Sequence, residues 1–60
     1  MEYLIIINEQ KYYCHDYKEG DFDDYRSIEL YDEKKRVIRY FSLGNNTDLQ
    51  IVPQYEKKVI

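Results

Sequence analysis

Sixty residues carrying nine basic and twelve acidic side chains, a net charge of −3, allow one small domain over residues 1–60. A chain this short hides only about 60% of its unfolded surface and is marginally stable alone. A single cysteine excludes an intramolecular disulfide, and one cysteine with one histidine falls short of a structural zinc site. With those staples excluded, self-association as a homodimer is the expected support. The acidic balance also argues against a dedicated nucleic-acid binder, whose domains are usually basic. No apolar run approaches the roughly 18 residues that span a bilayer, so no membrane role is expected. The start, Met1 to Asn8, lacks the basic n-region and cleavage site of a signal peptide. Together with the free Cys14, this points to a reducing, cytoplasmic setting.

In chain order, Glu2 to Asn8 reads as a first strand, because the β-branched Ile5, Ile6 and Ile7 favour a pleated site. It is apolar on both faces, with Tyr3, Ile5 and Ile7 on one and Leu4 and Ile6 on the other, as in a central or interfacial strand. Asn8-Glu9-Gln10 is a polar break, and Lys11 to Tyr17 reads as a second strand. There Tyr13, His15 and Tyr17 share one face, and Tyr12, Cys14 and Asp16 the other. Lys18 to Asp24 carries turn chemistry around Gly20. Asp21 to Tyr25 has the composition of one short helical turn capped by aspartate.

Tyr25 to Leu43 is the clearest hairpin. Tyr25 to Tyr31 alternates with Ile28 and Leu30 inward, Asp32-Glu33-Lys34-Lys35 is a polar turn, and Arg36 to Leu43 returns. Gly44 to Asp48 is a loop. Leu49 to Val52 is a last strand, ended or pushed to an edge by Pro53. A polar tail follows, ending on Val59 and Ile60. The expected fold is all-β: a small antiparallel sheet or half-open barrel of four to five strands built from hairpins. The return strand is also apolar on both faces, with Val37, Phe41 and Leu43 against Ile38 and Tyr40, and two such strands exceed what one sheet covers, which again favours a second copy.

Eight tyrosines stand out in a chain without tryptophan or alanine. Tyrosine, isoleucine, lysine and asparagine have AT-rich codons, so an AT-rich genome, such as that of a low-GC bacterium or its phage, raises their number without selection for binding. Placement is more telling than number. Between Tyr12 and Tyr25 lie Asp16, Glu19, Asp21, Asp23 and Asp24 against the single Lys18. A calcium loop needs oxygen ligands at alternate positions and a glycine at the sixth. Counting from Asp21 puts Arg26 sixth, and counting from Asp16 puts Lys18 third, so neither register fits.

Carboxylates mixed with aromatic anchors suit docking on a basic protein, such as the cationic groove of a nucleic-acid enzyme. Tyr12, Tyr13, Tyr17, Asp21, Asp23, Asp24 and Tyr25 are the expected contacts. A small acidic product of this kind fits an inhibitor made by a phage or mobile element, a host-defence antagonist for example. The blander reading is a solvated loop whose charge keeps a small protein soluble.

The basic cluster Lys34, Lys35, Arg36 and Arg39, beside Tyr31 and Tyr40, gives an alternative: gripping phosphates and stacking bases of a single-stranded nucleic acid or nucleotide. Cys14-His15 resembles a nucleophile with its base only on paper, because neighbours in a strand point to opposite faces. A buried Cys14 is the simpler expectation. With no phosphate loop, catalytic triad or metal motif, neither an enzyme nor a cofactor is expected.

Overall fold

The computed structural model describes residues 2–54, which form two three-stranded antiparallel sheets and, among the described residues, no helix. The strands are β1 (Glu2–Ile7), β2 (Gln10–Cys14), β3 (Asp16–Asp21), β4 (Arg26–Tyr31), β5 (Val37–Leu43) and β6 (Leu49–Gln54). The first sheet has the order β2-β1-β6 and the second β3-β4-β5. β5 and β6 do not pair, so no barrel closes.

Six strands replace the expected four to five because the run from Lys11 onward divides at His15. Before it, Cys14 pairs with Tyr3 of β1; after it, Asp16 pairs with Tyr31 of β4. The His15 N–H donates to the Tyr31 carbonyl at 2.9 Å, holding the corner where the chain leaves one sheet for the other. The expected turn from Lys18 to Asp24 is corrected too: β3 runs through Gly20 to Asp21. The short helical turn over Asp21 to Tyr25 is absent. Instead the Phe22 N–H donates to the Tyr25 carbonyl at 2.9 Å across a two-residue connection, Asp23-Asp24. Paired strands on both sides leave no slack for a helical turn there.

Between the sheets lies a core of Ile5, Ile7, Cys14, Ile28, Leu30 and Leu43. Ile5, Ile28 and Leu30 are fully buried, so Ile28 and Leu30 point inward as their alternation requires. The inward face of the first sheet is set by register: Ile5 stands beside Tyr12 and Ile51, and Tyr3 beside Cys14 and Pro53. Pro53 sits on the edge strand β6, where a missing N–H is tolerated. Its outer face carries a row of Tyr13, Leu4 and Val52. The first strand is therefore apolar on both faces, as its sequence implies. The tail ending in Val59 and Ile60 lies outside the described residues.

Two turns use left-handed backbone. Asn8 and Glu9, at φ 48° and 73°, join β1 to β2 with the double positive φ of a type I′ hairpin. Glutamate there carries a cost of about 1–2 kcal/mol that glycine would avoid. The turn is tied down where the Asn8 N–H donates to the Asp48 carbonyl at 3.1 Å. Between β4 and β5, Lys35 at φ 64° follows a turn closed by its own N–H on the Asp32 carbonyl at 3.1 Å. A three-residue loop with a left-handed last residue is a common hairpin solution. The pairing slips by one residue just beyond it, between Leu30 and Tyr31.

Candidate partner-binding surface

At the β3–β4 turn the sequence builds an aromatic projection. Phe22 lies flat on Tyr25, with ring centroids 4.6 Å apart and planes 15° from parallel. Phe22 is 50% exposed and Tyr25 37%. Gly20 makes room for this stack, since a Cβ there would stand 3.0 Å from Phe22 Cε2 and 2.5 Å from Ser27 Oγ. The Phe22 ring folds back over Gly20, and Ser27, which pairs with Gly20, is buried. Asp23 and Asp24 form the turn itself and Asp21 precedes it, paired with Arg26; all three are exposed. The result is a half-open aromatic stack carried on an acidic turn.

The expected contact residues do not form one surface. Asp21, Asp23, Asp24 and Tyr25 come together at this turn, and Phe22, which sequence reasoning left out of the set, lies at its centre. Tyr17 turns inward and meets Tyr3 edge-on at 4.9 Å. Tyr12 also packs between the sheets, 4.8 Å from Phe41. Tyr13, at 62% exposure, stands on the outer face of the other sheet. The period-two alternation before His15 separates Tyr12 from Tyr13. The corner at His15 then resets the faces, so Tyr12 and Tyr17 both point inward. Gly20 was the available signal for Phe22, because glycine inside a strand marks a close approach.

Behind the turn, Arg26 binds the chain together. Its guanidinium donates to the Thr47 carbonyl at 2.8 Å and, at the limit of bonding, to the Gly44 carbonyl at 3.5 Å. It thus ties β4 to the β5–β6 loop. Its Nε is the one buried side-chain atom without a partner among the described residues. A shallow cavity of about 200 Å³ opens beside it, lined by Glu19, Gly20, Asp21, Arg26, Ser27 and Leu49.

The basic cluster sits at the opposite end of the same sheet, and its members are also divided. Lys34, Lys35 and Arg36 are exposed at the β4–β5 tip. Arg36 is engaged by Asp32, whose Oδ2 accepts its Nε–H at 2.8 Å. Asp32 Oδ1 accepts the N–H groups of Lys34 and Arg36, both at 2.9 Å. Those hydrogen bonds, the Arg36 N–H first, hold the Asp32 carboxyl below the usual carboxylate range. Arg39 lies over the Tyr12 ring at 5.2 Å, a cation–π contact that turns it inward. Tyr40 is 56% exposed on the outer face. Tyr31 shares that face, where partial desolvation first, and then Glu29 and Asp16, push its hydroxyl pKa up. Acids therefore stand among the rings that base stacking would use.

Cys14 is buried, and burial first, then Asp16 and Glu2, push its thiol pKa up. A thiol so placed is a poor nucleophile. Among the described residues no group of three or more His, Cys, Asp or Glu could hold a metal ion, and no helix is long and apolar enough to cross a membrane. Compared with known protein families, with curated proteins and with solved structures, the chain matches none.

Proposed function

We propose that the chain is a protein-binding module whose contact surface is the aromatic stack on the acidic β3–β4 turn. Phe22 and Tyr25 act as the anchors, while Asp21, Asp23 and Asp24 steer the module onto a basic surface such as a cationic groove. The reading is carried by one observation: an aromatic stack left half-open to solvent on a turn with three exposed carboxylates. Aromatic anchors supply most of the affinity of such contacts, and charges around them supply approach rate and orientation. Occupying a cationic groove in this way would make the module an inhibitor.

The test is affinity capture with the immobilised chain, from a low-GC bacterial extract, against a panel of variants. Partners held by the native chain should be lost with Asp21→Lys and Asp23→Lys together. They should also be lost with Phe22→Ala, which removes the exposed ring while leaving every charge in place. Reversal of the basic tip, Lys34→Glu with Lys35→Glu, should leave them bound. Equal retention by the Asp21→Lys, Asp23→Lys chain would overturn the proposal. Salt-sensitive binding of a single-stranded oligonucleotide, abolished by the tip reversal, would favour the nucleic-acid reading instead.

A further inference from the structure

β5 is an edge that nothing among the described residues covers, and its neighbours show how edges in this chain are otherwise protected. β6 has Pro53, β2 has Lys11, and β3 alternates charge with a glycine, Asp16-Tyr17-Lys18-Glu19-Gly20-Asp21. Charge and proline are the usual means of keeping an edge from pairing with another chain. β5, at seven residues the longest strand, has only Arg39, and that side chain is drawn inward onto Tyr12. Val37, Ile38 and Tyr40 are 51%, 48% and 56% exposed along it.

The ladder shows which backbone groups are open. Asp32 donates its N–H to Arg36, and Phe22 donates its N–H to Tyr25. In an antiparallel sheet, residues alternate between facing one neighbouring strand and facing the other. Even-numbered residues of β4 therefore face β5. Their partners Arg39, Phe41 and Leu43 direct N–H and C=O into the sheet. Tyr40 and Ser42 direct theirs outward.

We propose that two copies of this chain join through β5, antiparallel across a two-fold axis at Phe41. Tyr40 of each copy then exchanges N–H···O=C bonds with Ser42 of the other, and the two outer sheets become one of six strands. This register uses the regular stretch Arg39 to Leu43 and leaves out the slip next to Val37. It sets Arg39 opposite Leu43 and brings no like charges face to face.

Complementary charge at the two ends of the sheet favours a second copy as the occupant and an antiparallel direction. One end of the β3-β4-β5 sheet carries Asp21, Asp23, Asp24 and Asp48 against Arg26, a balance of −4 + 1 = −3; the other carries Lys34, Lys35 and Arg36 against Asp32 and Glu33, a balance of +3 − 2 = +1. The acidic turn lies roughly 10 Å across the sheet from Leu43, two strand spacings, close to a Debye length at 0.1 M salt. Antiparallel joining brings each basic tip beside the other copy's β5–β6 loop, at its acidic end. Parallel joining would set tip against tip. The seam lies two strands from the Phe22–Tyr25 stack, so each copy keeps that surface free. Two stacks on one dimer would strengthen binding to a repeated target by raising the effective concentration of the second contact.

The test is solution mass by sedimentation over a dilution series, with amide hydrogen exchange at Tyr40 and Ser42. The native chain should pass from one copy to two as concentration rises, and both amides should become slower to exchange. Ser42→Pro should hold it at one copy, because it removes an outward N–H and leaves the β4 ladder intact. Lys34→Glu with Lys35→Glu changes only exposed tip residues. It should weaken association at least tenfold at low salt, with the difference vanishing in high salt. A native chain that remains single up to about 1 mM would overturn the proposal, as would slow exchange in that single form, which means that the chain covers its own edge. A Ser42→Pro chain that pairs as well as the native one would also overturn it, leaving the outer row of Tyr13, Leu4 and Val52 as the seam.

Discussion

Between the sheets, Tyr3 meets Tyr17 edge-on at 4.9 Å and Tyr12 meets Phe41 at 4.8 Å. At the β3–β4 turn, Phe22 lies flat on Tyr25 at 4.6 Å, with half of its surface open to water. The distances are alike and the surroundings are not. The inner pairs are tilted or edge-on, the arrangement that lets a ring's positive rim meet a neighbour's negative face in a confined space. The outer pair is stacked nearly parallel and stays partly open to solvent on both rings. Aromatic residues of one composition thus serve cohesion in one place and contact in another. Backbone alternation, rather than residue type, decides which.

Substitutions along this division test it. Phe41→Ala should be the most damaging, costing about 2–4 kcal/mol in urea unfolding, since it strips a large ring from the seam between the sheets. Tyr17→Ala should follow at about 1–3 kcal/mol, losing the contact with Tyr3 and part of the core cover. In a domain stable by only a few kcal/mol, either change would leave a measurable unfolded fraction at rest. Phe22→Ala should cost less than about 1 kcal/mol yet remove binding to a basic partner, separating the two roles in one measurement. Tyr13→Ser should fall within about 0.5 kcal/mol of the native chain. A Phe22→Ala chain as unstable as Tyr17→Ala would erase the distinction and make the outer stack a part of the core.

The strands were largely legible in the sequence, and the corner was not. Ile28 and Leu30 are inward as alternation demands, β1 is apolar on both faces, and the β4–β5 hairpin turns where charge interrupts the apolar runs. Nothing in Tyr13-Cys14-His15-Asp16-Tyr17 marks a change of sheet, because a bend between sheets needs neither glycine nor proline when both flanking strands are paired. That hidden corner overturned the face assignment of Tyr17 and divided the expected contact set. Of the three left-handed turn residues, Glu9 and Lys35 were equally silent, since side chains of that kind seldom adopt such backbone. Tertiary pairing imposes it on them. At the site, the acids and Tyr25 were readable from local composition. Phe22 belongs to the same aromatic, acidic stretch, but its stacking over Gly20 was not legible, because Lys18 to Asp24 reads as a turn rather than as strand β3.

The corner at His15 also governs how the molecule comes apart. Cys14 belongs to one sheet and Asp16 to the other, and the second crossing, the β5–β6 loop, is held by Arg26 and by the Asn8 N–H, so neither connection is slack. β1 must moreover wait for β6, whose partner residues lie more than forty positions away in the chain, before the first sheet is complete. Joined at His15 and again through the β5–β6 loop, and closed by the most distant pairing, the two sheets should share a single melting event. Fluorescence of the tyrosines and far-ultraviolet dichroism should trace the same curve. The same distant pairing makes folding slow for the chain's size, since loop closure must precede the contacts that reward it.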